Sequence, residues 1–318
     1  MTSATFGWLF AAIALTANAA YPDKPIRIIV PYVPGGNIDI TARTLAPGLG
    51  EALGQTIVVE NRGGAGGTIG TEIAAKAPAD GYTLLLGSSG TLTNAPALYP
   101  KLGYDPLKDF ATTSMTTMVP IVIETHPSVP VKTVREFIAL AKSRPDRITM
   151  ASAGSGSSNH LAGALFQKTT QTRLIHVPYK GSGAALVDLM GGQVDVFFDQ
   201  LSSSIAYLQS GKLRAIAVTT LKRSPHLPEV PSANESGVPG FDASTVTGIA
   251  LPAATPADVV MKVHAALVKV LRAKATRDSF ARFGAETLES SPEEFSKFIR
   301  EDLAKWSKLV RETGIKLE

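Results

Sequence analysis

Cysteine is absent from this 318-residue chain, which removes disulfide frameworks, thiolate metal sites and cysteine nucleophiles together. A chain of this length makes roughly two domains of ordinary size, so its stability has to come from packed apolar cores. Charge is also sparse. Charged residues make up 18% of the sequence and the formal net charge is +4, with Lys and Arg scattered among Asp and Glu. No basic stripe forms, which argues against nucleic acid as a partner. Beyond the first twenty residues no apolar run approaches the ~20 residues that cross a bilayer. The five histidines, His126, His160, His176, His226 and His264, lack metal-ligand spacing, and no Walker lysine follows a glycine-rich loop. Neither a metal nor a cofactor is expected.

The N-terminus differs from the rest. Residues 6–15 are almost wholly apolar, and Ala17-Asn18-Ala19 puts small residues where signal peptidase reads. Residues 1–19 are therefore expected to be a signal peptide cleaved after Ala19. No Lys or Arg precedes the apolar run, so a short N-terminal anchor is the alternative.

In the mature chain, short β-branched runs at residues 26–30, 57–60, 83–86, 148–152, 174–177, 194–198 and 215–218 alternate with helical patterns. This is the pattern of α/β units around parallel sheets. The runs are predominantly apolar and do not alternate, as expected where helices cover both faces of such strands. Capping signals open helices at Thr133 with Glu136, at Ser291-Pro292-Glu293-Glu294 and at Thr255-Pro256-Ala257-Asp258,. Helical spacing after Phe295 makes Trp306 a core residue. Pro47, inside the first helix, predicts a kink or an end near Ala46. Residues 119–124, after an irregular stretch at 104–118, and residues 246–251, after a Pro- and Gly-rich stretch, read as two crossings between lobes. Paired crossings make a hinge.

Three loops lie beyond the carboxyl ends of strands, where open α/β sheets bind ligands. Pro34-Gly35-Gly36-Asn37 precedes a helical start, Gly87-Ser88-Ser89-Gly90-Thr91 ends the third strand, and residues 152–160 end a later one. Glycines expose backbone N–H groups, and a helix N-terminus adds partial positive charge, so such loops suit an anion. An ordinary strand-to-helix turn capped by Asn37 is the competing reading of the first loop. Asp39, in the first helical turn, reads as structural. Gly154-Ser155-Gly156 imitates a dinucleotide fingerprint, but Asn159 stands at the third glycine and no acid follows about twenty residues on. Ser155, His160 and Asp199 can be assembled into a hydrolase triad, yet no Gly-x-Ser-x-Gly elbow holds the serine.

Further motifs run in order along the chain: Pro22-Asp23-Lys24-Pro25-Ile26, Pro34-Gly35-Gly36 with Asp39, Val58-Val59-Glu60-Asn61-Arg62, Gly64-Ala65-Gly66-Gly67, Ala79-Asp80-Gly81-Tyr82, Tyr104-Asp105-Pro106, His176-Val177-Pro178-Tyr179-Lys180-Gly181 and Gly211-Lys212-Leu213-Arg214-Ala215. Over essentially the whole mature chain the sequence resembles the tripartite tricarboxylate transporter substrate-binding receptors, the Bug family. The resemblance implies a non-enzymatic, monomeric periplasmic binding protein with two α/β lobes, a two-strand hinge and a ligand cleft between them. Residues 20–120 with 247–318 would form the first lobe and residues 121–246 the second. The ligand would be a small organic acid, a di- or tricarboxylate or an aromatic carboxylate, handed to integral membrane permease subunits. Its contacts would come from Val33, Pro34, Gly35, Gly36, Asn37, Ile38, Asp39, Ser88, Ser89 and Thr91 on one jaw. On the other they would come from Ala153, Gly154, Ser155, Gly156, Ser157, His160 and Asp199. Asn37 and Ile38 depart from the Gly, Thr or Ser more usual in the family. Two other functions compete: an exported serine esterase-like hydrolase using Ser155 and His160, and a ligand-sensing subunit for a membrane signalling partner.

Overall fold

A computed structural model describes residues 21–314; the expected signal peptide lies outside them. Strands β1 (Ile26–Val30) and β2 (Ile57–Asn61) flank helix α1 (Asn37–Leu53). Next come α2 (Thr68–Ala75), β3 (Thr83–Ser88), a π-helical turn (Gly90–Asn94), α3 (Ala95–Leu98) and the long strand β4 (Phe110–Thr125). The middle of the chain supplies α4 (Val134–Ser143), β5 (Thr149–Ser152), α5 (Ser158–Thr170), β6 (Ile175–Pro178), α6 (Ser182–Met190), β7 (Val196–Gln200), α7 (Leu201–Gln209) and β8 (Arg214–Val218). The chain closes with β9 (Ser244–Pro252), α8 (Ala257–Arg272), α9 (Lys274–Arg282), β10 (Glu286–Thr287) and α10 (Pro292–Thr313).

Strand order is β2-β1-β3-β9-β4-β7-β5-β6, with β8 and β10 also on β4. β1, β2 and β3 are parallel, as are β5, β6 and β7. β4 serves both halves. Phe110 to Pro120 pairs antiparallel with β9, and Ile121 to Thr125 pairs antiparallel with β7 and β8. The polypeptide therefore enters the second sheet at Pro120-Ile121 and returns to the first at Ala243-Ser244. Thr219 ties the two crossings together: its N–H donates to Ile121 O (2.9 Å), its hydroxyl donates to Ala243 O (2.6 Å), and its carbonyl accepts Ala243 N–H (3.0 Å).

Residues 110–118 form a strand where an irregular stretch was expected. The reason is composition: Thr112, Thr113, Ser114, Thr116 and Thr117 break the apolar run, but Thr is β-branched and suits a pleated surface. Three of their buried hydroxyls are satisfied across the ladder. Thr113 donates to Ile249 O (2.8 Å), and Thr116 and Thr117 both meet the Thr247 hydroxyl (2.6 and 2.7 Å).

Helix α1 also runs on through Pro47 to Leu53 and does not stop at Ala46. Pro47 is exposed, so water can satisfy the carbonyl it leaves without a donor. Leu45, Leu49 and Leu53 are meanwhile buried at i, i+4 and i+8 against α8 residues such as Val263 and Leu267. Burying each leucine contributes about 1.5–3 kcal/mol, enough to offset the lost hydrogen bond.

The capping signals divide. Ser291 and Glu294 form a complete capping box on α10, whose Phe295, Ile299 and Trp306 are buried. Thr133 accepts Glu136 N–H (3.2 Å), but the Glu136 carboxylate reaches Lys132 N–H (2.6 Å). Thr255 does not cap α8; its hydroxyl donates to Pro252 O (2.7 Å). Ser291→Ala should lower stability by about 1 kcal/mol, measured as a shift in the urea midpoint at unchanged slope.

Candidate functional site

Helix starts meet at a cavity between the two sheets. Its wall is built by Tyr32, Gly36, Asn37, Ile38 and Ser88 from the first half of the fold, Ala153, Ser158, Asn159, Ser182 and Gln200 from the second, and Thr245 beside the crossing. Gly36, Asn37 and Ile38 begin α1; Ser158 and Asn159 begin α5; Ser182 begins α6; Gln200 immediately precedes α7. The first N–H groups of a helix have no intrahelical acceptor and carry the positive end of its dipole. On α1, α6 and α7 no side chain caps them. None of the lining side chains is charged. The positive ends of backbone dipoles thus face the cavity, which suits an anion with dispersed charge.

The two halves press closely together. The cavity leaves about 20 Å³ for the centres of water molecules, room for about one, so a larger ligand enters only if the halves part. Glycines permit the contact. A methyl group on Gly66 would lie 2.0 Å from Ser155 O, and one on Gly183 would lie 2.4 Å from Pro34 O. Tyr99 donates to Ser155 O (3.1 Å), and Val33 N–H reaches Lys180 O (3.5 Å).

Of the residues expected from sequence, Gly36, Asn37, Ile38, Ser88 and Ala153 line the cavity. Others build the loops behind it. Asp39 accepts hydrogen bonds from Gly35 N–H, the Arg43 guanidinium and the Asn61 amide, each at 3.0 Å. Burial pushes its carboxyl pKa up, but these bonds outweigh burial and hold it below the usual range. The Gly35 N–H is therefore spent on Asp39. Val33 and Pro34 face the Lys180 and Gly183 backbone. Ser89 bonds Val246 N–H (3.2 Å), and Thr91 bonds the Ser88 backbone (3.3 Å). In the second loop Gly154 N–H donates to the Ser152 hydroxyl, Ser157 caps α5, and Gly156 N–H donates to His160 Nδ1 (3.2 Å). Positive φ at Gly154 and Gly156 (119° and 82°) makes this loop possible,.

His160 stacks on His176 with ring centroids 4.2 Å apart. Burial, then the His176 charge, lowers His160 to about 3, and burial lowers His176 to about 4. His160 is neutral near neutrality and its Nδ1 is occupied by a loop N–H, an arrangement that supports the loop and does not activate Ser155.

Asp199 is fully buried behind the wall. One oxygen accepts from Ser182 Oγ (2.7 Å) and Asn159 Nδ2 (3.1 Å), while Oδ2 has no partner among the described residues. Glu124 is equally buried, and among the described residues neither of its oxygens has a well-formed hydrogen bond, although the Ser204 hydroxyl nearby favours its ionised form. The β4–β7 register pairs Asp199 with Val122 and Phe197 with Glu124, so the two acids share one face of the ladder. Burial first, then the Asp199 charge, raises Glu124 well above its usual range. Burial raises Asp199 despite the hydrogen bonds that oppose it. The pair therefore holds a proton where exposed carboxyls have lost theirs.

Sequence reasoning passed over Tyr32, Ser182 and Thr245, and placed Ser158, Asn159 and Gln200 only within the stretches 153–160 and 199–202 that the family resemblance assigns to the second jaw. Gly181-Ser182 repeats the Gly36-Asn37 signature of a glycine followed by a polar helix start. Ser158 and Asn159 stood within a loop already singled out. Tyr32 and Thr245 had no local signal.

This fold and cleft define a two-lobed solute receptor of the periplasmic binding protein type. A family model described as tripartite tricarboxylate transporter family receptor matches residues 41–315, and the chain belongs to that family. It is 40% identical over 310 residues to Protein BugT of Bordetella pertussis, covering 97% of this chain and 95% of BugT. The structure of the periplasmic binding protein BugD superposes with TM-score 0.91 at 37% identity, covering 94% of this chain and all of BugD. The R. palustris protein Rpa4515, solved with adipate, gives TM-score 0.90 at 33% identity over 93% of this chain and 99% of its own. The family consists of solute-binding receptors and not of enzymes, which excludes the esterase reading of Ser155 and His160.

Two outcomes test the site. Gly183→Ala gains up to about 1 kcal/mol of helix propensity yet meets the Pro34 carbonyl only when the lobes touch. Its melting temperature should not fall, while its radius of gyration in saturating ligand should stay larger than that of the wild type; normal closure would refute the contact. For Glu124, a folded pKa above the unfolded value means that wild-type stability is lost as pH rises from about 4.5 through the raised folded value. Glu124→Gln lacks this loss, so its stability relative to wild type should grow between pH 5 and pH 8 in chemical denaturation. A constant difference would show that Glu124 is ionised in the fold.

Proposed function

We propose that the cavity captures a small organic acid by its carboxylate, and that lobe closure presents the loaded receptor to the integral membrane permease subunits of a tripartite transporter. The single observation that carries this reading is the meeting of four helix N-termini on a wall without charged side chains. Such a wall stabilises an anion through backbone and hydroxyl donors from both lobes. The adipate bound to Rpa4515 supports a ligand of the same class here. For the lobe limits expected from sequence, residues 20–120 with 247–318 and residues 121–246, the sheet change at Pro120-Ile121 supports the first limit, while the return to the first sheet at Ala243-Ser244 favours a second limit there. The receptor works as a monomer in the periplasm, exported by the cleavable segment 1–19.

Closure supplies the signal. Moving a lobe equilibrium from mostly open to mostly closed needs about 5 kcal/mol of differential binding. Hydrogen bonds to a charged group contribute about 1.5–3 kcal/mol each, so two or three bonds made only in the closed form are sufficient. Donors on both walls are consequently required, and both walls have them.

A thermal-shift panel of succinate, adipate, citrate and benzoate tests the reading. Ligand at about a hundred times its Kd adds ~2.7 kcal/mol of stability, a rise of several degrees. At least one acid should produce it, and no rise with any of the four would overturn carboxylate capture. Capture of permease subunits by the loaded receptor from detergent-solubilised membranes, with no histidine kinase retained, separates transport from sensing.

A further inference from the structure

We propose that Asn37 both selects the ligand and latches the closed lobes, and that the group it receives is a carboxylate with no ammonium beside it. The inference rests on the carboxylate reading above and adds the chemistry that accompanies the carboxylate.

Asn37 is the first residue of α1, is 2% exposed and lines the cavity. Its Oδ1 accepts the hydroxyl of Ser202, 2.7 Å away on α7 in the opposite lobe. Its Nδ2 is buried and has no partner among the described residues. A buried donor without an acceptor is disfavoured, so this amide is a place reserved for an acceptor that arrives with the ligand. Ser158 lines the facing wall, 5% exposed, with its hydroxyl also unpartnered. The two groups stand on opposite jaws, so one carboxylate accepting from both would hold the jaws together. The reversed amide orientation would aim an oxygen at the same anion, so the donor orientation is the one an acid ligand stabilises. Asn37 is thus tied to the second lobe by one end of its amide and to the ligand by the other.

An ammonium group finds no such welcome. Among the described residues no carboxylate lines the cavity. Gln200 Oε1 already accepts from Asn159 (3.1 Å) and Ser182 (3.3 Å), and Asp199, whose Oδ1 accepts from the same two side chains, is fully buried behind the lining with its free Oδ2 not among the groups of the wall. The four helix N-termini that favour an anion also repel a cation. Tyr32, Ile38 and Ala153 supply the apolar part of the wall, which suits methylene groups. The ligand class is accordingly a carboxylic acid with an uncharged body, and α-amino acids are refused.

Titration calorimetry with two matched pairs, succinate with L-aspartate and adipate with L-2-aminoadipate, tests the proposal on the wild type and four variants. The dicarboxylate of at least one pair should bind the wild type, and its amino counterpart should bind at least about 30-fold more weakly. Asn37→Leu removes the donor and should cost about 10- to 100-fold in affinity. Asn37→Asp keeps an acceptor for Ser202 but opposes the ligand charge, and should cost at least as much. Asn37→Ser restores a small donor and should recover part of the loss, which a folding defect would not. Ser202→Ala keeps the donor, and should lose less than tenfold while leaving the liganded protein incompletely closed in small-angle scattering. If neither dicarboxylate binds the wild type, the capture of such acids falls and this inference with it. If one binds, and Asn37→Leu retains it at full affinity or the amino counterpart binds equally well, the inference alone is overturned.

Discussion

Four helices begin around one small space, and the N–H groups of their first turns must find acceptors there. Most other features of the molecule serve that requirement. The parallel strands deliver their following helices to one edge of each sheet, and β4 joins the two sheets so that those edges face each other. Glycines at Gly66, Gly154 and Gly183 let the facing loops approach to backbone contact. Asp39 and the buried Asp199 act behind the wall, holding Gly35 on one side and Ser182 with Asn159 on the other. The acids are kept out of the cavity while their hydrogen bonds fix its polar groups, a division that keeps the field inside positive.

Much of the fold was legible because single segments carried complete signals. β1 and β3 announce themselves as short apolar runs, interrupted in β1 by Arg27, and α10 by a cap, a first-turn proline and an apolar stripe at helical spacing that includes Trp306. The first part of β4 was illegible for the opposite reason. Its hydroxyl-bearing residues read as loop until Thr247 and the Ile249 carbonyl are brought alongside to satisfy them. Pro47 misled because a local penalty was weighed without the three leucines that bury the same helix.

The cavity was legible at loops and illegible at positions defined by pairing. Gly36, Asn37 and Ile38 follow a strand directly, so their place could be read from order alone. Thr245 reaches the wall because β9 runs beside β4, with Val119 opposite it, and no property of residues near 245 encodes that neighbour. Asp199 shows the converse limit. The sequence set it just after a strand, whereas β7 includes it, and whether an acid points into a site or supports it from behind depends on which partners surround it. Here Ser182 and Asn159 take one oxygen, and Glu124 shares its face of the ladder.

The absence of charged side chains from the cavity wall bears on how the molecule copes with its surroundings. Mobile salt weakens attraction between exposed charges over distances of about a Debye length, but it does not enter a closed, buried space between helix ends. A grip made of fixed dipoles therefore varies little from dilute to saline water. The modest positive charge of the whole surface, by contrast, remains subject to screening, so salinity acts on the rate at which an anion arrives far more than on how firmly it is held.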